Sequence, residues 1–121
     1  MSVALFDSAI LVDALVGLSA ARTALVTVSE RWITRLGWAE VMAGARGDAE
    51  RVEEFLGQFK VIEIDEEIAR RGATLRTQRP GMALDSALTL AAAQVTGRIL
   101  VTRNTREFPA EMPGIRVPYT L

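Results

Sequence analysis

Short apolar runs alternate along this chain with longer segments of helical periodicity, and this alternation constrains the fold more than any other feature. The runs that predict strands cover residues 3–6, 32–36, 61–64, 99–101 and 115–117. Strands that are separated by helices pair in parallel, because a parallel pair needs a long crossover between its members. We therefore predict one α/β domain over residues 1–121, with a central, mainly parallel sheet of four to five strands flanked by helices on both faces.

The predicted helices lie between these strands. Ser8, Asp48 and Asp65 suit helix N-termini, and each precedes apolar side chains spaced three and four residues apart. A mostly buried helix is predicted from Leu84 to a stop at Gly97. The segment 19–30 fits a helix over most of its length, or a strand near its end, and we interpret it as a helix.

Histidine and cysteine are both absent from the chain. Their absence excludes disulfides, zinc–thiolate sites, thiol nucleophiles, Ser-His-Asp triads and histidine general bases. Fourteen basic residues against 15 acidic ones give a formal charge of −1, so the molecule lacks the overall basic excess typical of nucleic-acid binding. The groups left for catalysis are carboxylates, hydroxyls, amides and arginines, and a bound polyanion would need a local patch.

The apolar segments are too short for targeting or membrane insertion. The first one ends at Asp7, whereas a secretory signal needs roughly 7–15 apolar residues behind a basic start. The richest later segment is interrupted by Asp85 and is shorter than the roughly 20 residues that span a bilayer. We therefore expect a cytoplasmic protein with no membrane partner.

Polar side chains follow the predicted strands where a ligand site of a parallel sheet would lie. Asp7 directly follows the first strand, and Glu40 lies early in the helix after the second. Asp85 lies near the start of the helix predicted to be the most buried, and Asn104 and Glu107 follow the strand at 99–101. Each residue taken alone is more often a helix cap or a partner of the helix dipole. As a set, they are expected to project from one edge of the sheet.

A cluster of carboxylates repels itself unless a cation lies within it. Ligand sets made only of oxygen suit Mg²⁺ or Mn²⁺ better than zinc. Such a metal activates water and neutralises the charge that builds on a phosphate, so phosphodiester cleavage can proceed without histidine. The residues therefore point to metal-dependent chemistry on a phosphate.

Four segments and the C-terminal tail resemble the PIN-domain ribonucleases, and specifically the VapC-type toxins of bacterial toxin–antitoxin pairs. The family opens with a strand followed by an Asp-Thr/Ser motif, which here is Asp-Ser-Ala-Ile-Leu-Val-Asp at 7–13. The second family motif corresponds to Trp-Ala-Glu-Val-Met-Ala-Gly at 38–44. The third is Leu-Asp-Ser-Ala-Leu-Thr-Leu-Ala-Ala-Ala at 84–93, and the fourth is Val-Thr-Arg-Asn-Thr-Arg-Glu-Phe at 101–108. The tail Met-Pro-Gly-Ile-Arg-Val at 112–117 also looks like the ending of the family.

This resemblance implies a PIN fold across the chain and Mg²⁺- or Mn²⁺-dependent endoribonuclease activity. By motif position, Asp7, Glu40 and Asp85 correspond to metal-binding acids, and Asn104 and Glu107 form the fourth corner of the catalytic site, with Asn104 near the metal. It also implies an RNA substrate, a homodimer, and a small antitoxin protein that covers the active-site face.

Three departures from the family pattern leave a second interpretation open. Ala9 replaces a small polar residue, Gly37 lies where threonine is frequent, and Glu107 replaces the commoner aspartate. A PIN-like module that binds RNA or a protein without cleaving is the alternative. Phosphoryl-transfer enzymes of the receiver or dehalogenase type fit poorly, because they need a further Asp or paired acids and a lysine, whereas Lys60 is the only lysine here.

Several other residues have both a functional and a structural interpretation. Arg46, Arg103 and Arg106 lie near the motifs and could contact RNA phosphates, or equally could be surface residues or partners of neighbouring acids. Asp13 is interpreted as structural or peripheral. Trp32 and Trp38 could stack on bases, but core packing is the preferred interpretation.

Overall fold

Residues 2–121, the part of the chain that the computed structural model describes, form eleven helices and strands. In chain order they are β1 (Val3–Phe6), α1 (Ser8–Leu15), α2 (Ser19–Val26), β2 (Glu30–Thr34), α3 (Arg35–Ala43), α4 (Ala49–Leu56), β3 (Lys60–Ile62), α5 (Glu66–Gln78), α6 (Leu84–Thr96), β4 (Ile99–Val101) and β5 (Ile115–Arg116). The predicted alternation of strands and helices is confirmed.

Strand β1 lies at the centre of a five-stranded parallel sheet with the order β3-β2-β1-β4-β5. Leu5 is in register with Trp32 of β2 on one side and with Leu100 of β4 on the other. The chain adds β2 and β3 on one side of β1 and then crosses back to add β4 and β5. The strand order therefore reverses between β1 and β4, and the carboxyl ends of strands at such a point leave a crevice for a ligand.

The two faces of the sheet carry separate hydrophobic cores, because successive side chains of a strand point to opposite faces. Ala4 and Phe6 pack with buried residues of helices α1 to α4. Leu5 packs on the opposite face with buried residues of α5 and α6. Helices cover both faces, which confirms the predicted fold class.

Helices α5 and α6 approach each other closely at Gly72. A Cβ atom at this position would lie only 2.6 Å from Leu88 Cδ2, well inside van der Waals contact. The missing side chain lets the two helices pack tightly. This contact helps to fix α6, which carries Asp85 in its first turn.

Three strand boundaries differ from the prediction. Strand β2 is Glu30–Thr34 and not 32–36, because the Thr34 hydroxyl accepts a hydrogen bond from the Gly37 N–H over 2.9 Å and starts α3 at Arg35. Strand β3 ends at Ile62 and not at residue 64, and Asp65 then caps α5 through the Ile68 N–H. Strand β5 ends one residue earlier than predicted.

The segment 19–30 is a helix only as far as Val26. Val28 is buried in the connection that follows, and β2 begins at Glu30. The helical interpretation of this segment was therefore right for its first two thirds. None of the helices in residues 2–121 combines the length and hydrophobicity needed to cross a membrane.

Candidate active site

Asp7 follows the last residue of β1 and lies beside the end of β4. Its backbone N–H donates a hydrogen bond to the Val101 carbonyl over 2.9 Å. Its Oδ2 accepts a hydrogen bond from the Thr102 hydroxyl over 2.7 Å. Asp7 is also the N-cap residue of α1, but its side chain makes no capping hydrogen bond. The carboxylate is therefore held by the Thr102 hydroxyl, just after β4, and by the backbone N–H of Ser8 at the start of α1.

Thr102 is a residue of this site that the sequence analysis did not single out. Its side chain is fully buried, and its hydroxyl oxygen accepts the Asn104 N–H over 3.0 Å while the hydroxyl donates to Asp7. Its own N–H donates to the Arg116 carbonyl of β5 over 3.0 Å. The sequence feature that could have indicated Thr102 is its position as the first residue after the β4 strand. In the structure its buried hydroxyl faces the end of β1.

The carboxylates of Asp7, Glu40 and Asp85 come close enough to influence each other electrostatically. Asp7 belongs to the β1–α1 junction, Glu40 to the second turn of α3, and Asp85 to the first turn of α6. Three separate elements thus bring together three acids that the sequence predicted to share one sheet edge. Their grouping supports the predicted cluster at the switch point of the sheet.

Desolvation is the main cause of perturbed ionisation at this cluster. Burial raises the pKa of Asp7, and the negative charge of Asp85 adds to the rise, while the hydrogen bond from Thr102 opposes it. Desolvation also raises the pKa of Glu40, with further contributions from Asp85 and Asp7 and an opposing one from the Ser8 hydroxyl. The ionised cluster therefore carries negative charge that the protein only partly compensates.

Asp85 lies outside the buried part of α6, the helix that carries it. The residue is exposed, and its Oδ1 accepts the N–H of Ser86 over 2.9 Å. The buried positions of α6 begin at Ala87, two residues further into the helix. Asp85 thus presents its carboxylate at the helix N-terminus, where the helix dipole favours negative charge.

Asn104 and Glu107 are tied to each other and to the start of α6. The Asn104 side-chain oxygen accepts the N–H of Glu107 over 3.4 Å. One oxygen of the Glu107 carboxylate accepts the N–H of Ala83, the N-cap residue of α6, over 3.2 Å. Asn104 is linked to Asp7 through Thr102. Glu107 instead binds the N–H of Ala83, which lies two residues before Asp85. Glu107 therefore lies at the start of α6, near Asp85, with one carboxylate oxygen engaged by backbone.

Among residues 2–121, no group of three or more acidic side chains is placed so that it could hold a metal ion. This open arrangement still suits Mg²⁺, which proteins usually bind through one or two carboxylates, with water and substrate phosphates completing the shell. The oxygen atoms of Asp7, Glu40, Asp85 and Asn104 are donors that Mg²⁺ and Mn²⁺ prefer. The uncompensated charge at Asp7 and Glu40 also favours a bound cation. The chemistry of the donor set therefore fits a divalent metal.

The three candidate RNA-binding arginines lie in different surroundings. Arg46 and Arg106 are exposed, and Arg46 adopts a left-handed backbone conformation with φ +48° in the loop after α3. Arg103 instead forms an ion pair with Asp13, with 2.6 Å between Nε and Oδ2. For Arg103 the structure favours the alternative role of partner to a neighbouring acid. Asp13 is buried, which agrees with its structural interpretation.

Both tryptophans are half-buried against the hydrophobic cores, and cations cover their rings. The Arg98 guanidinium lies 3.9 Å from the centre of the Trp32 ring, and the Trp32 indole N–H donates to Glu30. The Arg35 guanidinium lies 5.2 Å from the Trp38 ring centre. These contacts agree with the preferred core-packing interpretation.

The family model of the PIN domain matches residues 4–110. This chain belongs to the PIN domain family. The match spans β1 through the loop after β4, and so includes all five predicted site residues. The predicted resemblance to VapC-type PIN proteins is confirmed. The comparison with curated protein sequences found no match.

Solved structures similar to this PIN domain include components of several complexes. One is a toxin–antitoxin complex from Klebsiella pneumoniae, with 37% sequence identity, a TM-score of 0.91, and coverage of 98% of this chain and 99% of that one. Two others share the fold at lower identity. These are FitAB bound to a DNA fragment (20% identity, TM-score 0.82, coverage 97% and 96%) and DNA-bound VapBC from Salmonella typhimurium (24%, 0.75, 96% and 96%).

Proposed function

We propose that this PIN domain is a metal-dependent endoribonuclease and the toxin of a toxin–antitoxin pair. The observation that carries the proposal is the grouping of Asp7, Glu40 and Asp85 at the switch point of the sheet, in a chain without histidine or cysteine. The likeness over the whole chain to a component of the Klebsiella pneumoniae toxin–antitoxin complex supports it.

Asp7, Glu40, Asp85 and Asn104 are the candidate ligands, from which Mg²⁺ or Mn²⁺ would take one or two carboxylates, with water completing its shell and Glu107 nearby. When bound, the metal supplies an activated water and neutralises charge on the phosphate. The Thr102 hydroxyl binds one oxygen of Asp7 and so fixes the orientation of the carboxylate before a metal binds. Asp85 and Glu40 are exposed to solvent. A long polymer can therefore reach these acids without a change in the fold.

The substrate is proposed to be RNA held by local positive charge. The molecule has a formal charge of −1, so long-range attraction to a polyanion is absent. Arg46 and Arg106 are exposed arginines near the motifs, and they remain the candidates for phosphate contacts. Arg103 is not retained as a candidate because its guanidinium is held by Asp13.

We further propose a small antitoxin partner, a homodimer and a cytoplasmic location. Val12 on α1 and Val16 just after it are 45% and 78% exposed and line the same surface cavity. Exposed apolar side chains grouped on neighbouring elements are typical of surfaces that contact another protein. This surface supports association with a partner chain.

A PIN-like module that binds without cleaving is the second candidate. Its support is the Glu107 carboxylate, one oxygen of which is already engaged by the Ala83 N–H at the start of α6. Calorimetric titration with Mn²⁺ separates the two candidates. Binding in the wild type that is lost in Glu40→Ala favours the nuclease, and no binding in either protein favours the module.

Cleavage of a structured RNA by purified protein in Mg²⁺ or Mn²⁺ tests the nuclease directly. Asp7→Ala and Asp85→Ala are expected to lose activity, because each removes an oxygen ligand from the cluster. Asp48→Ala is the matched control, since Asp48 is an exposed acid paired with Arg51 at the start of α4. Equal cleavage by the wild type and both site variants would contradict the proposal and indicate a contaminating ribonuclease.

A further inference from the structure

Asp13, Arg103 and Tyr119 form a hydrogen-bonded cluster next to the candidate active site. Arg103 binds the Asp13 carboxylate with two nitrogens, Nε at 2.6 Å from Oδ2 and Nη2 at 3.2 Å from Oδ1. The Tyr119 hydroxyl donates to the same Oδ2 over 2.6 Å. Asp13 is only 8% exposed. A buried carboxylate is thus satisfied by donors from two segments that are about 90 and 106 residues away in sequence.

The cluster joins three segments, two of which adjoin Asp7. Asp13 belongs to α1, whose first residue follows Asp7 directly. Arg103 lies between Thr102, which orients Asp7, and Asn104. Tyr119 belongs to the tail that follows β5. Residues 102–114 have no helix or strand of their own, and the Arg103 side chain ties their first residues to α1.

We infer that Asp13, Arg103 and Tyr119 are positioning residues that hold Thr102 and Asn104 in place relative to Asp7, so that the site binds its divalent cation. The inference rests on the proposed metal-dependent function. Tyr119 lies outside residues 4–110, the part that matches the family model, so the tail contributes a residue to the site through Asp13. Partners that orient metal ligands typically contribute 10–100-fold to metal affinity.

The test measures Mn²⁺ affinity by isothermal titration calorimetry in the full chain. Tyr119→Phe removes one hydroxyl at constant ring size, and Asp13→Asn removes the charge that binds Arg103. Both variants are expected to bind Mn²⁺ on the order of tenfold more weakly and to lower kcat for RNA more than they raise KM. Arg103→Lys is expected to retain more affinity than Arg103→Gln, because it keeps a cation opposite Asp13.

Arg70→Gln is the matched control, since it breaks an exposed ion pair with Glu66 on the surface of α5. It is expected to bind Mn²⁺ as the wild type does. Thermal unfolding of every variant is followed by circular dichroism, and titrations are run well below each Tm. If affinity falls only in variants that are partly unfolded at the titration temperature, the cluster is merely structural and the inference is wrong.

The remaining outcomes separate this inference from the function on which it rests. If the wild type binds Mn²⁺, Asp85→Ala does not, and the folded cluster variants bind as tightly as the wild type, the inference is overturned and the proposed function stands. If the wild type itself binds no Mn²⁺, both are overturned. A folded Tyr119→Phe variant with weakened binding supports the inference.

Discussion

The Thr102 hydroxyl donates a hydrogen bond to Asp7 Oδ2 over 2.7 Å and joins the ends of two adjacent parallel strands. The same hydroxyl oxygen accepts the Asn104 N–H. One buried side chain therefore sets the position of two candidate metal ligands. Its size and its ability both to donate and to accept are specific to serine and threonine.

Thr102→Val is expected to lower the free energy of unfolding by about 1–3 kcal/mol, because it leaves the Asn104 N–H and one Asp7 oxygen without their partner. Urea denaturation at pH 7 measures the change. Thr74→Val is the control, since Thr74 is exposed on α5 and bonds only to the Arg70 carbonyl. An equal effect of the two substitutions would show that the Thr102 hydroxyl has no special role.

Asp7→Asn is expected to stabilise the metal-free protein at pH 7 by on the order of 1 kcal/mol. Burial first, and then the charge of Asp85, raise the pKa of Asp7 above its ordinary value of 3.8. The folded state therefore binds this proton more tightly than the unfolded state. The resulting stability is fully present below about pH 4 and is lost as the pH rises through the raised pKa.

The advantage of Asp7→Asn should accordingly disappear near pH 3, where the wild-type carboxyl is also neutral. Denaturation at pH 3 and pH 7 checks this sign. Asp48→Asn, at an exposed ion pair with Arg51, is expected to change stability by no more than about 0.5 kcal/mol. A wild type that is more stable than Asp7→Asn at pH 7 would disprove the argument.

Mn²⁺ is expected to raise the Tm of the wild type, since a ligand that binds only the folded state stabilises it by mass action. At 100 times the dissociation constant the gain is about 2.7 kcal/mol, and an excess of EDTA should reverse it. Asp85→Ala should show little of this shift. An identical shift in both proteins would place the ion elsewhere on the surface.

Gly72→Ala is expected to destabilise the protein by about 1 kcal/mol, because the new Cβ would meet Leu88 Cδ2 at 2.6 Å, Cγ at 3.3 Å and Cα at 3.4 Å, which outweighs the gain in helix propensity. Gly81→Ala is the control, since a Cβ there has no neighbour within 4 Å. Combining Gly72→Ala with Leu88→Ala should cost less than the sum of the two single changes. Strict additivity would mean that the two residues do not compete for space.

The sequence was sufficient to predict the parallel sheet and its flanking helices, because these depend on hydrophobic periodicity along the chain. It also predicted that Asp7, Glu40 and Asp85 share one edge, since parallel strands bring their carboxyl ends together. The role of Thr102 was not predictable in this way. A threonine after an apolar strand is common, and only the packing of β4 against β1 shows that its hydroxyl faces Asp7.

Pairings between distant segments were the other part that the sequence could not supply. The contacts of Asp13 with Arg103 and Tyr119 depend on how α1, the loop after β4 and the tail meet in space. The start of α3 at Arg35 was missed for a local reason. The hydrogen bond between Thr34 and Gly37 outweighs the strand-like pattern of residues 32–36.

The two edge strands of the sheet limit how another polypeptide can bind to this protein. Strand β3 on one margin has three residues, and β5 on the other has two. So few unpaired main-chain groups give little template for an added strand. A second chain that binds this protein is therefore expected to contact helix side chains. Its specificity should respond to substitutions in α1 and α2 more than to substitutions in the edge strands β3 and β5.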